Sequence, residues 1–79
     1  MFINKTTDGK NNLCGAKVAS LRSNIGISQR ELADRLQIAG LDIDKNAVQR
    51  IEAGKRFVTD IELKVLSKVL ELSVDELLE

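Results

Sequence analysis

The sequence predicts an all-α fold, a compact bundle of five helices in a single domain. Three observations carry that prediction. Apolar residues recur at spacings of three and four, the period of one helical face. The tetrapeptides "SQRE", "TDIE" and "SVDE" each have the form of a capping box, in which a Ser or Thr hydroxyl and a Glu carboxylate satisfy orphan amides at a helix start. Strand signals are absent. With 79 residues there is room for one core, and with only Phe2 and Phe57 as aromatics that core is aliphatic.

The elements follow in order. Residues 1–12, "MFINKTTDGKNN", are polar and aperiodic, and read as a flexible N-terminal arm or short lead-in to a folded domain at 13–79. Phe2 in this arm is left open between disorder and docking to a partner. Cys14, Val18, Leu21 and Ile25 form the inner face of helix one, which Gly26 ends. Ser28 opens helix two, whose inner face holds Leu32, Ala33, Leu36 and Ala39; Gly40 stops it. In the connector "LDID", Leu41 and Ile43 are expected to tuck inward. Asp44 caps helix three, which runs to about Ala53 before a left-handed stop at Gly54. Helix four starts at Thr59 and carries Ile61, Leu63, Leu66, Val69 and Leu70, with Glu62 expected at an exposed cap. Helix five starts at Ser73 and carries Leu77 and Leu78.

Composition removes several function classes. There is no histidine and one cysteine, which leaves no residues for a disulfide scaffold or a zinc site. Cys14, alone on an apolar stripe, reads as core rather than as a redox sensor. No apolar run approaches a membrane span, and the N-terminus lacks the basic-then-apolar pattern of a secretory signal. A cytoplasmic protein with no membrane partner is expected. With no cysteine pair and no phosphate-cradling glycine loop either, no catalytic residue, cofactor or small-molecule substrate is expected. The zero net charge conceals an asymmetry. Up to Arg56 there are ten bases and six acids, a net of +4; from Phe57 onward two bases and six acids give −4. One part could approach a polyanion and the other would avoid it.

The stretch "KNAVQRIEAGKR" sharpens that expectation. At 3.6 residues per turn, Val48 and Ile51 fall on one side of helix three, and Asn46, Gln49, Arg50 and Ala53 on the other, with Lys45 at the edge. Asn and Gln present an adjacent donor and acceptor that match adenine in the major groove; Arg and Lys match guanine. The face fits reading of base edges. It equally fits a merely soluble helix face.

The wider pattern "LRSNIGISQRELADRL…NAVQRIEAGKR…DIELKVLSKVLELSVDELL" resembles the Cro/phage-repressor (Xre-type) helix-turn-helix family, over roughly Val18 to Leu78. The resemblance implies a lambda-repressor-like five-helix bundle containing a helix-turn-helix. It implies a partner, double-stranded DNA, bound as a homodimer with helix three in the major groove. Matching positions make Lys45, Asn46, Gln49 and Arg50 the base readers. Gln29, Lys55 and Arg56 become phosphate contacts, and Arg22 and Glu52 a partly buried structural ion pair. Two departures stand out: the connector after helix two is longer than the commonest pattern, and Glu71 replaces the usual glycine after helix four. Leu77 and Leu78 are expected at the dimer interface, with Leu72 inside. The function expected is a sequence-specific transcriptional regulator, a repressor on a palindromic operator. The alternative is a helical protein-interaction module that binds another regulator through its acidic, leucine-bearing C-terminal end.

Overall fold

A computed structural model describes residues 5–79; Phe2 lies outside them. Five α-helices make up the regular structure of the described residues: α1 (Gly15–Ile25), α2 (Gln29–Ile38), α3 (Lys45–Glu52), α4 (Asp60–Val69) and α5 (Val74–Leu78). Helix α3 packs against α1 and α2, α4 against α2 and α5, and α5 returns to α1. No helix among the described residues is long and apolar enough to cross a membrane.

The helix starts follow from local hydrogen bonding. Ser28, Thr59 and Ser73 each close a capping box with the Glu three positions on, Glu31, Glu62 and Glu76. Asp44 accepts from the Ala47 amide and opens α3. Helix α1 has no box. Its start is fixed by Asn12, whose Oδ1 accepts from the Gly15 amide at 2.8 Å.

The core consists of Val18 from α1, Leu32, Ala33 and Leu36 from α2, Val48 and Ile51 from α3, Leu66 from α4 and Leu77 from α5. Cys14, Ile27, Ile43 and Leu70 close it from the helix ends and connectors. The connector after α2 is ordered by Gly40, whose left-handed backbone (φ 100°) lets Leu41 N donate to Leu36 O at 2.9 Å. Gln37 Nε2 donates to Ile43 O at 2.8 Å, which holds Ile43 in the core.

Several positions differ from the sequence-based expectation. Ile25 is exposed and Ile27 buried, because the chain reverses at Gly26 (φ 85°) and the residue after the turn takes the inner place. Ala39 is exposed, being the C-cap of α2 rather than part of its buried face. Ile61 is 69% exposed, whereas Glu62 is buried. The buried residues of α4 are Glu62, Leu66 and Ser67; Glu62 and Leu66 continue at a spacing of four to the C-cap Leu70, and Ile61 falls outside that stripe. Leu77 has no exposed surface at all. It belongs to the core and has no area to offer a second copy; of the expected interface pair only Leu78, 39% exposed, does.

Candidate nucleic-acid interface

Helix α3 presents two opposed faces. Val48 and Ile51 are buried against α1 and α2, which fixes the rotation of the helix about its axis. That rotation leaves Lys45, Asn46, Gln49 and Arg50 all exposed. Gln49 lies in the middle of the outward arc. Lys45, at the first helical position, lines a shallow groove together with Asp34 and Asp44. Arg30 lines the same groove.

A network beneath this face ties α3 to the rest of the bundle. Arg22 Nε donates to Glu52 Oε2 at 2.7 Å and its second guanidinium nitrogen to Oε1 at 3.1 Å. A further Arg22 N–H donates to Ile27 O at 2.9 Å. Gln29 Nε2 donates to Glu52 Oε1 at 2.9 Å. The side chains of Arg22 and Glu52 are only 18% and 7% exposed. A bidentate pair at this depth fixes direction as well as distance. It joins the ends of α1 and α3 to the start of α2. The hydrogen bond to Glu52 raises the pKa of Arg22 above its ordinary value. Gln29 is therefore engaged within the protein, and one Nε2 hydrogen is left to donate to a phosphate.

The loop after α3 carries Lys55 and Arg56. Lys55 is exposed. Arg56 is half-buried and forms a bidentate pair with Glu62, both N···O distances being 2.9 Å. Glu62 also accepts from Thr59 N at 2.9 Å, so one carboxylate serves the cap of α4 and the loop before it. Arg56 holds Glu62 below the usual carboxylate range, further helped by the Thr59 amide. The sequence leads one to expect Glu62 at an exposed cap and Arg56 on phosphate; the charge of Arg56 is instead matched internally. The signal that points to this is the register of Glu62 with Leu66 and Leu70.

The α3 end is also gripped from the N-terminal side. Asn12 Nδ2 donates to Ile51 O at 3.1 Å and to Arg56 O at 2.7 Å. Asn11 Nδ2 donates to Lys55 O at 2.9 Å, and Asn11 N to Gly54 O at 2.7 Å. Both asparagines fall in the segment that reads from sequence as an arm, yet their hydrogen bonds hold the turn that follows α3. Gly15 completes the approach: a Cβ there would lie 2.1 Å from Ile51 O. Cys14 beside it is buried, and burial pushes its thiol pKa up, as suits an inert core residue.

Comparison with known proteins places this geometry. The family described as "Helix-turn-helix" matches residues 18–77, most of the chain. Among solved structures, the restriction-modification controller protein C.AhdI from Aeromonas hydrophila is 32% identical, over 80% of this chain and 84% of that one, with a TM-score of 0.68. The clp gene regulator ClgR from C. glutamicum is 25% identical, over 86% of this chain and 82% of that one, with a TM-score of 0.72. A comparison with curated proteins finds no match.

Proposed function

From a chain that belongs to the Xre/lambda-repressor-type helix-turn-helix family, and so is a DNA-binding transcription regulator, we infer a cytoplasmic, homodimeric repressor that binds a palindromic operator. The observation that carries the reading is the outward face of α3, with Asn46, Gln49 and Arg50 exposed together over a bidentate Arg22–Glu52 brace. A reading helix needs side chains with base-matching donors and acceptors, and it needs a fixed rotation. Both are present here.

The exposed positions and internal pairings support the following division of labour. Gln49 and Arg50 read base edges, with Asn46 and Lys45 towards the start of the helix. Lys55 supplies the phosphate contact after the helix. Arg56, paired to Glu62, shapes that loop and touches phosphate only through donors left over. Gln29 adds a weaker contact at the start of α2. Regulation then needs no chemistry: an occupied operator blocks or recruits the transcription machinery. One copy offers few phosphate contacts, so two copies on two half-sites raise affinity and specificity together.

Selection of bound duplexes from a random pool tests this reading. The expected outcome is a palindrome with half-site centres about 10–10.5 base pairs apart or a multiple of that. Enrichment of a single non-repeated site removes the dimer; no enrichment at any salt concentration removes the operator reading and favours the interaction-module alternative.

A further inference from the structure

We propose that Lys10, in the segment preceding α1, is an additional phosphate-binding residue, placed beside Lys55 by the turn that follows α3. The inference rests on the DNA-binding reading above and adds a site from a part of the chain outside the helix-turn-helix.

Three observations put Lys10 there. First, residues 6–10 form a closed turn: Thr6 N donates to Lys10 O at 2.8 Å, Gly9 N to Thr6 O at 2.9 Å, and Lys10 N to the Thr6 hydroxyl at 2.9 Å. Second, the next two residues bind the backbone of the α3–α4 turn, through the Asn11 and Asn12 hydrogen bonds to Ile51, Gly54, Lys55 and Arg56. Third, the Lys10 stem lies directly on Gly54. A Cβ at Gly54 would meet Lys10 Cδ at 2.8 Å and Cγ at 2.9 Å, so a side chain there would displace the stem from the turn.

The aliphatic stem thus covers the turn while the ammonium stays in water, the usual arrangement of an amphipathic lysine. The Lys10 side chain is 48% exposed. Its nearest acid is Asp8, with an N···O distance of 3.9 Å and a 66% exposed carboxylate. A solvated pair of that length holds an ammonium weakly, so a phosphate can take it over. Lys10 and Lys55 then form a two-lysine clamp on one stretch of backbone, in a place where Arg56 is occupied by Glu62.

The test uses the full chain and the operator duplex obtained by selection, with a scrambled duplex of equal length as second probe. Lys10→Met keeps the stem and removes the charge; Lys10→Arg keeps the charge. Lys68→Met removes one charge from the exposed side of α4, in the acidic part of the chain, and serves as control. Affinity is titrated at several salt concentrations, and melting is followed alongside. Lys10→Met is expected to melt like the native chain and to weaken both duplexes by the same factor. It should lower the salt slope by about 0.9 for each phosphate no longer neutralised, while Lys10→Arg retains the slope. If Lys10→Met has the same slope as the native chain or as Lys68→Met, Lys10 binds no phosphate, and the operator reading stands without it. If the native chain binds neither duplex, both readings fall.

Discussion

Glu71 sits in the left-handed region, φ 59°, at the end of α4. Leu72 N donates to Ser67 O at 3.0 Å across it, so this conformation closes the helix and sends the chain into α5. A residue with a Cβ costs about 1–2 kcal/mol there. Replacement by glycine returns that strain but loosens the unfolded chain by about 0.4–1 kcal/mol. Glu71→Gly is therefore expected to stabilise the protein by up to about 1 kcal/mol, raising the melting temperature by up to about 4–8 °C for a domain this small. A lower melting temperature would show that the Glu71 side chain supplies a compensating interaction. Gly15 is the opposite case. Gly15→Ala drives a methyl into Ile51 O and must shift α1 away from the end of α3. Overpacking of this kind costs about 1–3 kcal/mol; a melting temperature equal to the native one would refute the close approach. These two residues differ in how readable they are. The strain at Glu71 is visible through the family resemblance, which has glycine at the end of helix four. The need for Gly15 is invisible, because its partner is a carbonyl far along the chain.

Helix starts are legible because a capping box is local chemistry, and all three boxes form as written. Helix faces are legible in their middles and not at their ends. Val18, Leu36, Val48 and Leu66 lie where periodicity puts them, but Ile25 and Ile61 do not, since a terminal residue's place depends on the turn beside it. The outward face of α3 is legible from its polar residues; the pairing of Arg56 with Glu62 shows only in the register of Glu62 with Leu66 and Leu70, against hydropathy, which assigns a glutamate to solvent. That pairing makes a prediction for α4 and its preceding loop. The folded-state pKa of Glu62 is depressed, so its contribution to stability is present above the ordinary glutamate value, about 4.3, and is lost as pH falls through the lower folded value. Glu62→Gln is expected to lower the melting temperature at neutral pH and to flatten its decline below that value. Parallel melting profiles from neutral to acid pH would mean that Glu62 contributes nothing through its charge. For α3, Gln49→Ala is expected to cost about 1–3 kcal/mol on the preferred operator and to relax selectivity at one base position per half-site. Lys55→Ala should weaken all duplexes alike and lower the salt slope by about 1 for each phosphate it releases. Titration against single-base operator variants separates the two; uniform weakening by Gln49→Ala would place another face of the helix in the groove.

At the scale of the whole molecule, charge and apolar surface divide the protein between two tasks. The chain through Arg56 carries the net positive charge and the reading helix, while the remainder is acidic and ends in α5. Phosphate repels that acidic part, so the proposed dimer seam is sought there. The burial of Leu77 changes how this is tested. Leu77→Asp places a carboxylate in the core, at a cost of about 4 kcal/mol or more, comparable with the total stability of many small domains. It is expected to unfold the chain, and so says nothing about assembly. Leu78 is the informative position, because its exposed surface is not needed by the monomer core. Leu78→Asp is expected to keep the native melting transition at low concentration, to shift sedimentation from dimer to monomer, and to weaken operator binding by far more than binding to a half-site duplex. The half-site comparison matters because a defect in α3 would reduce both affinities. A native chain that sediments as a monomer at high concentration, with and without operator, would remove the dimer. A Leu78→Asp variant that remains dimeric would move the seam to another exposed apolar position, such as Ile61 or Phe57, 69% and 58% exposed near the start of α4.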